Sequence, residues 1–246
     1  MNDLKTKTIR GAIARLVGQA VKSLVRLGMV VVLARLLSPS DFGLVAMVTV
    51  VTGVLDIFAT GGLSAAAVQK AEISDAELST LFWINIAIGV LLGLICLAAA
   101  PALSVFYNEP KTSLVIFAIA PAFVINATGV QHLALLQREL RYVTLAVIEV
   151  GSELVTTAVA IGMAIAGCGY WAVVASAITG PLIVTVGAWV TSGWLPGRPQ
   201  PLRDVRAMLR FGGTITLNAL IAYVAYNFDK VLVGRYYGPG MLGIYS

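Results

Sequence analysis

The chain repeats its opening segment near its end, and this repeat constrains the architecture more than any other feature. Residues 31–46, VVLARLLSPSDFGLVA, align with residues 231–246, VLVGRYYGPGMLGIYS. The identical positions are Val31 and Val231, Arg35 and Arg235, Pro39 and Pro239, and Gly43 and Gly243. Internal repeats indicate structural units that share a fold. We therefore expect one complete unit, followed by the first helix of a second unit.

The composition places this repeat in a membrane. Apolar residues make up 59% of the 246-residue chain and charged residues only 12%, with a mean hydropathy of +0.90. Soluble domains contain about 45–50% apolar and about 25% charged residues. We therefore predict an all-α polytopic membrane protein. The two cysteines, Cys96 and Cys168, lie within or beside apolar stretches without metal-like spacing, so we expect neither a metal nor a cofactor.

Seven apolar stretches are long enough to cross a bilayer as helices, which takes about 20 residues. They lie at about 11–37, 42–66, 79–100, 113–135, 142–166, 170–192 and 212–237. Turn-forming residues separate them at 38–41, 101–111, 137–141 and 167–169. We predict three parts: an N-terminal transmembrane lobe of six helices at 1–192, a cytoplasmic basic linker at 193–210, and the first helix of a second, truncated lobe at 211–246.

Positive residues predict the orientation of these helices, because Lys and Arg in short loops are retained in the cytoplasm. With the N-terminus inside, only Arg35, Lys111 and Arg235 lie outside. The inner segments hold ten: Lys5, Lys7, Arg10, Lys70, Arg138, Arg141, Arg198, Arg203, Arg206 and Arg210. We therefore predict a cytoplasmic N-terminus. Since six helices separate the two repeats, both units start on the same side, which predicts a parallel repeat about an axis along the membrane normal.

The first predicted helix carries a stripe of positive charge. At about 100° per residue, Arg15, Gln19, Lys22 and Arg26 fall within a sector of about 60°. A charge near the middle of a bilayer costs about 2.5–3.5 kcal/mol, so such groups face the protein interior or a wet cavity. The stripe predicts a cavity wall that binds an anion, since Arg donates two parallel hydrogen bonds to phosphate. Two alternatives stay open: Arg15 reaches the cytoplasmic interface, or Lys22 and Arg26 pair with carboxylates elsewhere.

Acidic residues also lie within the predicted helices. Glu149 and Glu153 are four residues apart on the fifth helix and therefore share a face. They are candidates for a proton or sodium site, for counter-charges of Lys22 and Arg26, or for an interhelical salt-bridge cluster. Asp56 on the second helix is another candidate counter-charge, or a group near the outer interface.

The remaining polar residues of the spans indicate packing. Asp229 and Lys230 are adjacent and predict an interfacial pair, whereas Asn126, Gln131 and His132 predict interhelical hydrogen bonds. The sequence contains no HExxH, GxSxG, Walker loop or CxxC pair. We therefore do not expect an enzyme.

The turn after the first helix resembles a family signature. Residues 33–43 read LARLLSPSDFG, and the pattern Arg-Leu-Leu-x-Pro-x-Asp-Phe-Gly is typical of the first outer loop of polysaccharide transporters. The stretches at 61–63 and 209–212 add to the similarity. The whole chain thus resembles the O-antigen or exopolysaccharide flippases of the multidrug/oligosaccharidyl-lipid/polysaccharide exporter superfamily.

This resemblance implies two helical bundles around a cavity that opens alternately to each side of the bacterial inner membrane. The family moves undecaprenyl-pyrophosphate-linked oligosaccharide outward for lipopolysaccharide or exopolysaccharide synthesis, and related flippases hold the pyrophosphate in a cationic cavity. On this chain that role falls to Arg15, Lys22 and Arg26. The implied partners are the lipid-linked oligosaccharide, membrane lipids, and polysaccharide polymerase or assembly proteins, and not nucleic acid.

Family members usually have a second full set of helices, so we expect this chain to be a fragment of the full transporter. The alternative is that two copies associate. Two other functions stay open. A drug or metabolite exporter of the same superfamily needs acidic cavity walls for its mostly cationic substrates. A non-transporting membrane scaffold of a polysaccharide assembly complex pairs its charges internally.

Overall fold

Helices account for every regular element in the part of the chain that the structure describes. It is a computed structural model, and it describes residues 2–60, 73–199 and 206–245. The helices are α1 (Asn2–Leu36), α2 (Pro39–Thr60), α3 (Asp75–Tyr107), α4 (Lys111–Ile119), α5 (Pro121–Arg138), α6 (Tyr142–Ile165), α7 (Trp171–Ser192) and α8 (Arg206–Tyr245). The prediction of an all-α polytopic membrane protein is therefore confirmed.

Five stretches of these described helices are long and apolar enough to cross a membrane. They are Ile13–Leu36, Asp75–Tyr107, Lys111–Arg138, Tyr142–Ile165 and Trp171–Ser192. They correspond to the first, third, fourth, fifth and sixth predicted spans. The second predicted span begins on α2 and runs past its described part. The seventh lies within α8, which is not among the five and on which Asp229, Lys230 and Arg235 lie close together.

The third span is longer than its sequence pattern indicated. We predicted that it ends at 100, before Pro101, but α3 continues through this proline. Proline removes the backbone donor for the carbonyl of Leu97, and such a gap is tolerated in membrane helices that neighbouring helices support. Next to this position α4 packs on α3, where the Ser113 hydroxyl donates to the carbonyl oxygen of Ala100 (3.1 Å). The break falls instead at Asn108, which has a left-handed backbone with φ of 53°.

A second proline divides the fourth predicted span into two helices. α4 ends at Ile119 and α5 begins at Pro121, so the predicted single helix at 113–135 is divided at Ala120. Pro121 has no N–H to donate to the carbonyl four residues earlier, which interrupts the helical hydrogen bonding. The two helices still follow one another closely, because Ala120 keeps helical dihedral angles (φ −51°, ψ −39°).

The helices from α2 to α7 form one packed bundle. One buried cluster draws side chains from α2, α3, α4, α5 and α7, among them Leu44, Val48, Leu92, Cys96, Val115, Ile116, Phe123 and Val174. α1 packs on the edge of this bundle against α6, and α8 packs along α2. The face of α1 away from α6 is apolar and exposed. The charged stripe of α1 lies next to this free face.

The two copies of the repeat meet where α2 begins. α8 is broken at Gly238, whose φ of 76° favours glycine, so Pro239 starts a second helical piece as Pro39 starts α2. A Cβ atom on Gly43 would overlap the carbonyl oxygen of Pro239, and one on Gly243 would overlap that of Pro39. The contact is therefore reciprocal, as in the pairing of two related units about a two-fold axis.

Some predicted positions lie outside the described residues. These are the stretch at 61–63, Lys70 and Arg203, together with the side chains of Lys5, Lys7, Arg10, Asp56, Arg206 and Arg210, whose backbones lie on helices. The division into lobes and the orientation in the membrane stay predictions.

Candidate anion site on the first helix

Two glycines let α1 approach α6 closely. A Cβ atom on Gly11 would lie 2.9 Å from Cδ2 of Tyr142, and one on Gly18 would lie 2.9 Å from Cβ of Ala146. The contacts advance together along both chains, so the two helices run parallel. This packing brings the stripe of α1 beside the acidic face of α6, where Lys22 meets Glu149.

Lys22 and Glu149 form a loose ion pair. Nζ of Lys22 lies 3.7 Å from Oε2 of Glu149, which is longer than an ordinary hydrogen bond. Their side chains are 33% and 41% exposed, so water reaches both partners. An ion pair of this exposure holds its partners weakly, because solvent screens the attraction.

Arg15 lies about two helical turns before Lys22 on α1 and packs on an aromatic ring. Its Cζ atom is 5.7 Å from the centre of the Tyr142 ring, within the range of a cation–π contact. Arg15, Gln19, Gln137 and Glu149 line a cavity of about 20 Å³, which is large enough for a water molecule. The guanidinium is exposed, so it remains able to bind a ligand from the free side of α1.

Arg26 and Glu153 occupy equivalent positions one turn beyond the ion pair. Each lies four residues after its counterpart, Arg26 after Lys22 and Glu153 after Glu149, on helices that run parallel. Arg26 is exposed and Glu153 is half-buried. Within the described part of the chain, neither they nor Arg15 take part in an ion pair. The site therefore combines one paired lysine with two arginines on the same edge of α1.

The adjacent charges on α8 each form a hydrogen bond with another side chain. Asp229 accepts a hydrogen bond from the hydroxyl of Tyr245 (2.7 Å), and Lys230 donates to Oδ1 of Asn227 (3.2 Å). Arg235 lies over the ring of Phe106, with Cζ 5.5 Å from its centre. These contacts join residues of α8 to one another and to α3, so they indicate packing.

Asp41 is a residue whose importance the sequence did not reveal. It lies in the predicted turn at 38–41, and its carboxylate accepts hydrogen bonds from the N–H (3.1 Å) and the hydroxyl (2.6 Å) of Ser38. Its other oxygen accepts the backbone N–H of Tyr170 (3.1 Å), between α6 and α7. The signature motif therefore joins two turns that are distant in sequence. Gly169, with φ of 55°, lets the second turn approach.

His132 joins α5 to α7 inside an aromatic cluster. Its Nδ1 atom lies 3.0 Å from the hydroxyl of Ser192, which is an interhelical hydrogen bond of the predicted kind. Its fully buried ring lies 4.2 Å from the Trp189 ring, 5.3 Å from that of Trp194 and 6.0 Å from that of Phe82, measured between centres. Such surroundings indicate a packing residue. Across the described residues, no group of three or more His, Cys, Asp or Glu is arranged to hold a metal ion.

The segment after α7 is fastened to the bundle by the same cluster. Trp83 donates its indole N–H to the carbonyl of Gly197 (2.9 Å), and the N–H of Gly197 donates to the hydroxyl of Ser79 (2.9 Å). The ring of Trp194 packs against Phe82 with 6.0 Å between centres. The residues from Gly193 to Gly197 thus belong to the packed bundle.

The sequence is similar to proteins of polysaccharide biosynthesis. A family model described as "Polysaccharide biosynthesis protein" matches residues 32–246. The chain is 28% identical to the Lipopolysaccharide biosynthesis protein WzxC of Escherichia coli (strain K12), over 99% of the chain and 50% of WzxC. No solved structure matches it.

Two further relatives extend this similarity to other bacteria. The Teichuronic acid biosynthesis protein TuaB of Bacillus subtilis (strain 168) is 30% identical over 75% of the chain and 39% of its own length. The Succinoglycan biosynthesis transport protein ExoT of Rhizobium meliloti (strain 1021) is 26% identical over 87% of the chain and 44% of its own length. The chain thus spans about half the length, or less, of the curated relatives it matches.

Proposed function

The chain belongs to the polysaccharide biosynthesis protein family, and on this basis we propose that it is the N-terminal half of a lipid-linked oligosaccharide flippase. It is a multi-pass protein of the bacterial inner membrane. The proposed substrate is an undecaprenyl-pyrophosphate-linked oligosaccharide for lipopolysaccharide or exopolysaccharide synthesis. Polymerase or assembly proteins are proposed partners, and no bond of the substrate is made or broken in this step.

The proposed mechanism uses the stripe of α1 as the diphosphate site. Arg15 and Arg26 offer planar donors that match phosphate oxygens, and Lys22 adds a point charge between them. The sugar crosses through water while the isoprenoid tail stays in lipid, and rocking of two related halves switches access between the two sides. Glu149, Glu153 and Asp56 are candidates for a coupling proton or sodium ion, or for counter-charges.

One observation carries this proposal. Arg15 and Arg26 lie on one edge of α1, exposed, and without an acidic partner among the described residues. Insertion of an isolated charge into a bilayer costs about 2.5–3.5 kcal/mol of free energy. Two such charges on one membrane helix therefore indicate a functional role, such as ligand binding. An anion that crosses the membrane is the ligand which such a pair of guanidinium groups fits best.

Replacement of Arg26 tests the proposal in cells. In a full-length transporter that contains this sequence, Arg26→Ala should abolish surface polysaccharide, because the anion loses one of its donors. The matched control is Lys111→Ala, which removes a positive charge in an outer turn and should leave export intact. Surface polysaccharide is measured by immunoblot, with membrane abundance of each variant as the reference. Normal export by a fully expressed Arg26→Ala variant would contradict the diphosphate site.

A non-transporting scaffold is the second candidate, and one observation favours it. Lys22 is already paired with Glu149, and the cavity beside them holds no more than about one water molecule. Native mass spectrometry of the purified protein with a lipid extract separates the two functions, since a scaffold retains no lipid-linked sugar. A drug or metabolite exporter is less well supported, because the exposed arginines on α1 would repel cationic substrates.

A further inference from the structure

We propose that Glu149 is an internal counter-ion which holds Lys22 in the empty protein, yields it to the diphosphate, and reclaims it when the diphosphate leaves. This inference rests on the proposed anion site. It adds that the carboxylate and the ligand compete for the same ammonium group, so that substrate release has a device built into the helix pair.

The position of the pair is fixed by backbone packing and does not depend on the ion pair itself. Gly11 and Gly18 place α1 directly on Tyr142 and Ala146 of α6, and this register brings Lys22 opposite Glu149. Removal of the charge on either partner should therefore leave the two helices in contact. The two side chains are free to exchange partners while their helices stay in place.

The ion pair has the geometry of an exchangeable contact. Its atoms are 3.7 Å apart, beyond hydrogen-bond distance, and both side chains are more than 30% exposed. A buried, hydrogen-bonded pair would be costly to separate, whereas an exposed pair contributes little. A ligand that approaches from the free side of α1 meets an ammonium group that its partner holds only loosely.

The neighbouring charges favour an anion with two charges over the carboxylate. Exchange of one carboxylate for one monoanion leaves the number of ion contacts unchanged. A diphosphate diester carries two negative charges, so it replaces Glu149 at Lys22 and still offers a charge to Arg15 or Arg26. Glu149 in turn borders the small cavity with Gln19 and Gln137, whose amides are donors for the displaced carboxylate.

Binding of dimethyl diphosphate to the purified protein tests the exchange, with calorimetry as the readout. Glu149→Gln should bind this dianion about two- to fivefold more tightly than the wild type, since the competing ion pair is worth no more than an exposed pair. Glu139→Gln is the matched control, because Glu139 is also paired, with Arg141 at 3.5 Å, but lies on the turn before α6. It should bind as the wild type does. Thermal unfolding of each variant shows that the fold is retained.

The Lys22→Ala background separates this inference from the proposed function. If Lys22→Ala binds the dianion as well as the wild type does, or neither binds it, the anion site itself is wrong. If Lys22→Ala weakens binding but Glu149→Gln does not strengthen it, only the counter-ion is wrong. Glu149→Gln should also lose its advantage once Lys22 is absent. If Glu149→Gln increases the affinity for the dianion equally in the Lys22→Ala variant, the effect comes only from removal of a negative charge near the site. That result would overturn the exchange.

Export by the full-length transporter gives the second readout. Glu149→Gln should lower the rate of polysaccharide export although it binds the dianion more tightly, because no carboxylate returns to Lys22 during release. Faster export with tighter binding would overturn the release role.

Discussion

The carbonyl oxygen of Pro239 lies where the side chain of any larger residue at Gly43 would begin, and the relationship recurs between Pro39 and Gly243. Gly43→Ala should therefore force the N-terminal end of α2 away from α8. Overpacking of this kind costs about 1–3 kcal/mol, since backbone and not a flexible side chain must move. The melting temperature of the detergent-purified protein measures the loss.

Gly162→Ala is the control for that substitution. A Cβ atom at Gly162 meets nothing within 4 Å, and the residue lies inside α6. Alanine favours a helix over glycine by about 1 kcal/mol, so this variant should be as stable as the wild type or more so. Equal melting temperatures for the Gly43 and Gly162 variants would show that the reciprocal contact is loose.

Asp41→Ala should release the turn between α6 and α7. The Tyr170 N–H loses its carboxylate acceptor, and hydrogen bonds to a charged group contribute about 1.5–3 kcal/mol. We expect faster hydrogen exchange in peptides that cover 167–171, measured by mass spectrometry. Peptides that cover the turn at 108–112 serve as the internal control, because the Asp41 carboxylate binds Ser38 and Tyr170 and not that turn. Unchanged exchange at Tyr170 would contradict the bridging role.

Lys22 and Glu149 should be coupled weakly in stability. A double-mutant cycle with Lys22→Ala and Glu149→Ala is expected to give about 0.2–1 kcal/mol, as for other solvent-exposed pairs. The Arg141–Glu139 pair, at 3.5 Å and similarly exposed, provides a reference cycle in the same protein. A coupling several times larger would mean that the pair is a structural clamp and does not exchange.

His132→Ala should destabilise the C-terminal ends of α5 and α7. The ring is fully buried between aromatic side chains, so its removal leaves a cavity and costs about 2–4 kcal/mol. Ser192→Ala removes the contacts of its hydroxyl with His132 and with the carbonyl of Trp189 but leaves the ring in place, and should cost about 1 kcal/mol. Thr191→Ala, whose hydroxyl bonds within its own helix, is the control. Thermal unfolding followed by tryptophan fluorescence compares the three variants, and equal losses for all three would argue against a packing role of the ring.

The sequence predicts the helices well because each is a long apolar run, but it predicts their ends poorly. Pro101 and Pro121 have the same local effect on the backbone, yet one lies within a continuous helix and the other begins a new one. The local sequence around the two prolines does not distinguish these outcomes, because packing against neighbouring helices, such as that of α4 on α3 through Ser113, is set by the tertiary structure. The motif at 33–43 likewise gives no indication that Asp41 binds the N–H of Tyr170, 129 residues away.

The sequence limits the possible acidic partners of the charged stripe to a few carboxylates, but it does not show which of them forms an ion pair. The angles of Arg15, Lys22 and Arg26 follow from helical geometry alone. The choice of Glu149 as the partner of Lys22 depends on how α1 slides along α6, which Gly11 and Gly18 determine through contacts with another helix. Sequence spacing within one helix carries no information about that register.

Gly197 is hydrogen-bonded to Trp83 and Ser79, so the segment that connects the bundle to α8 begins after Gly197 and is shorter than the predicted linker at 193–210. Five residues of the connection, from Gly193 to Gly197, therefore belong structurally to the bundle. A protease site inserted between Gly193 and Gly197 should resist cleavage in the folded protein, and rapid cleavage there would contradict this anchoring.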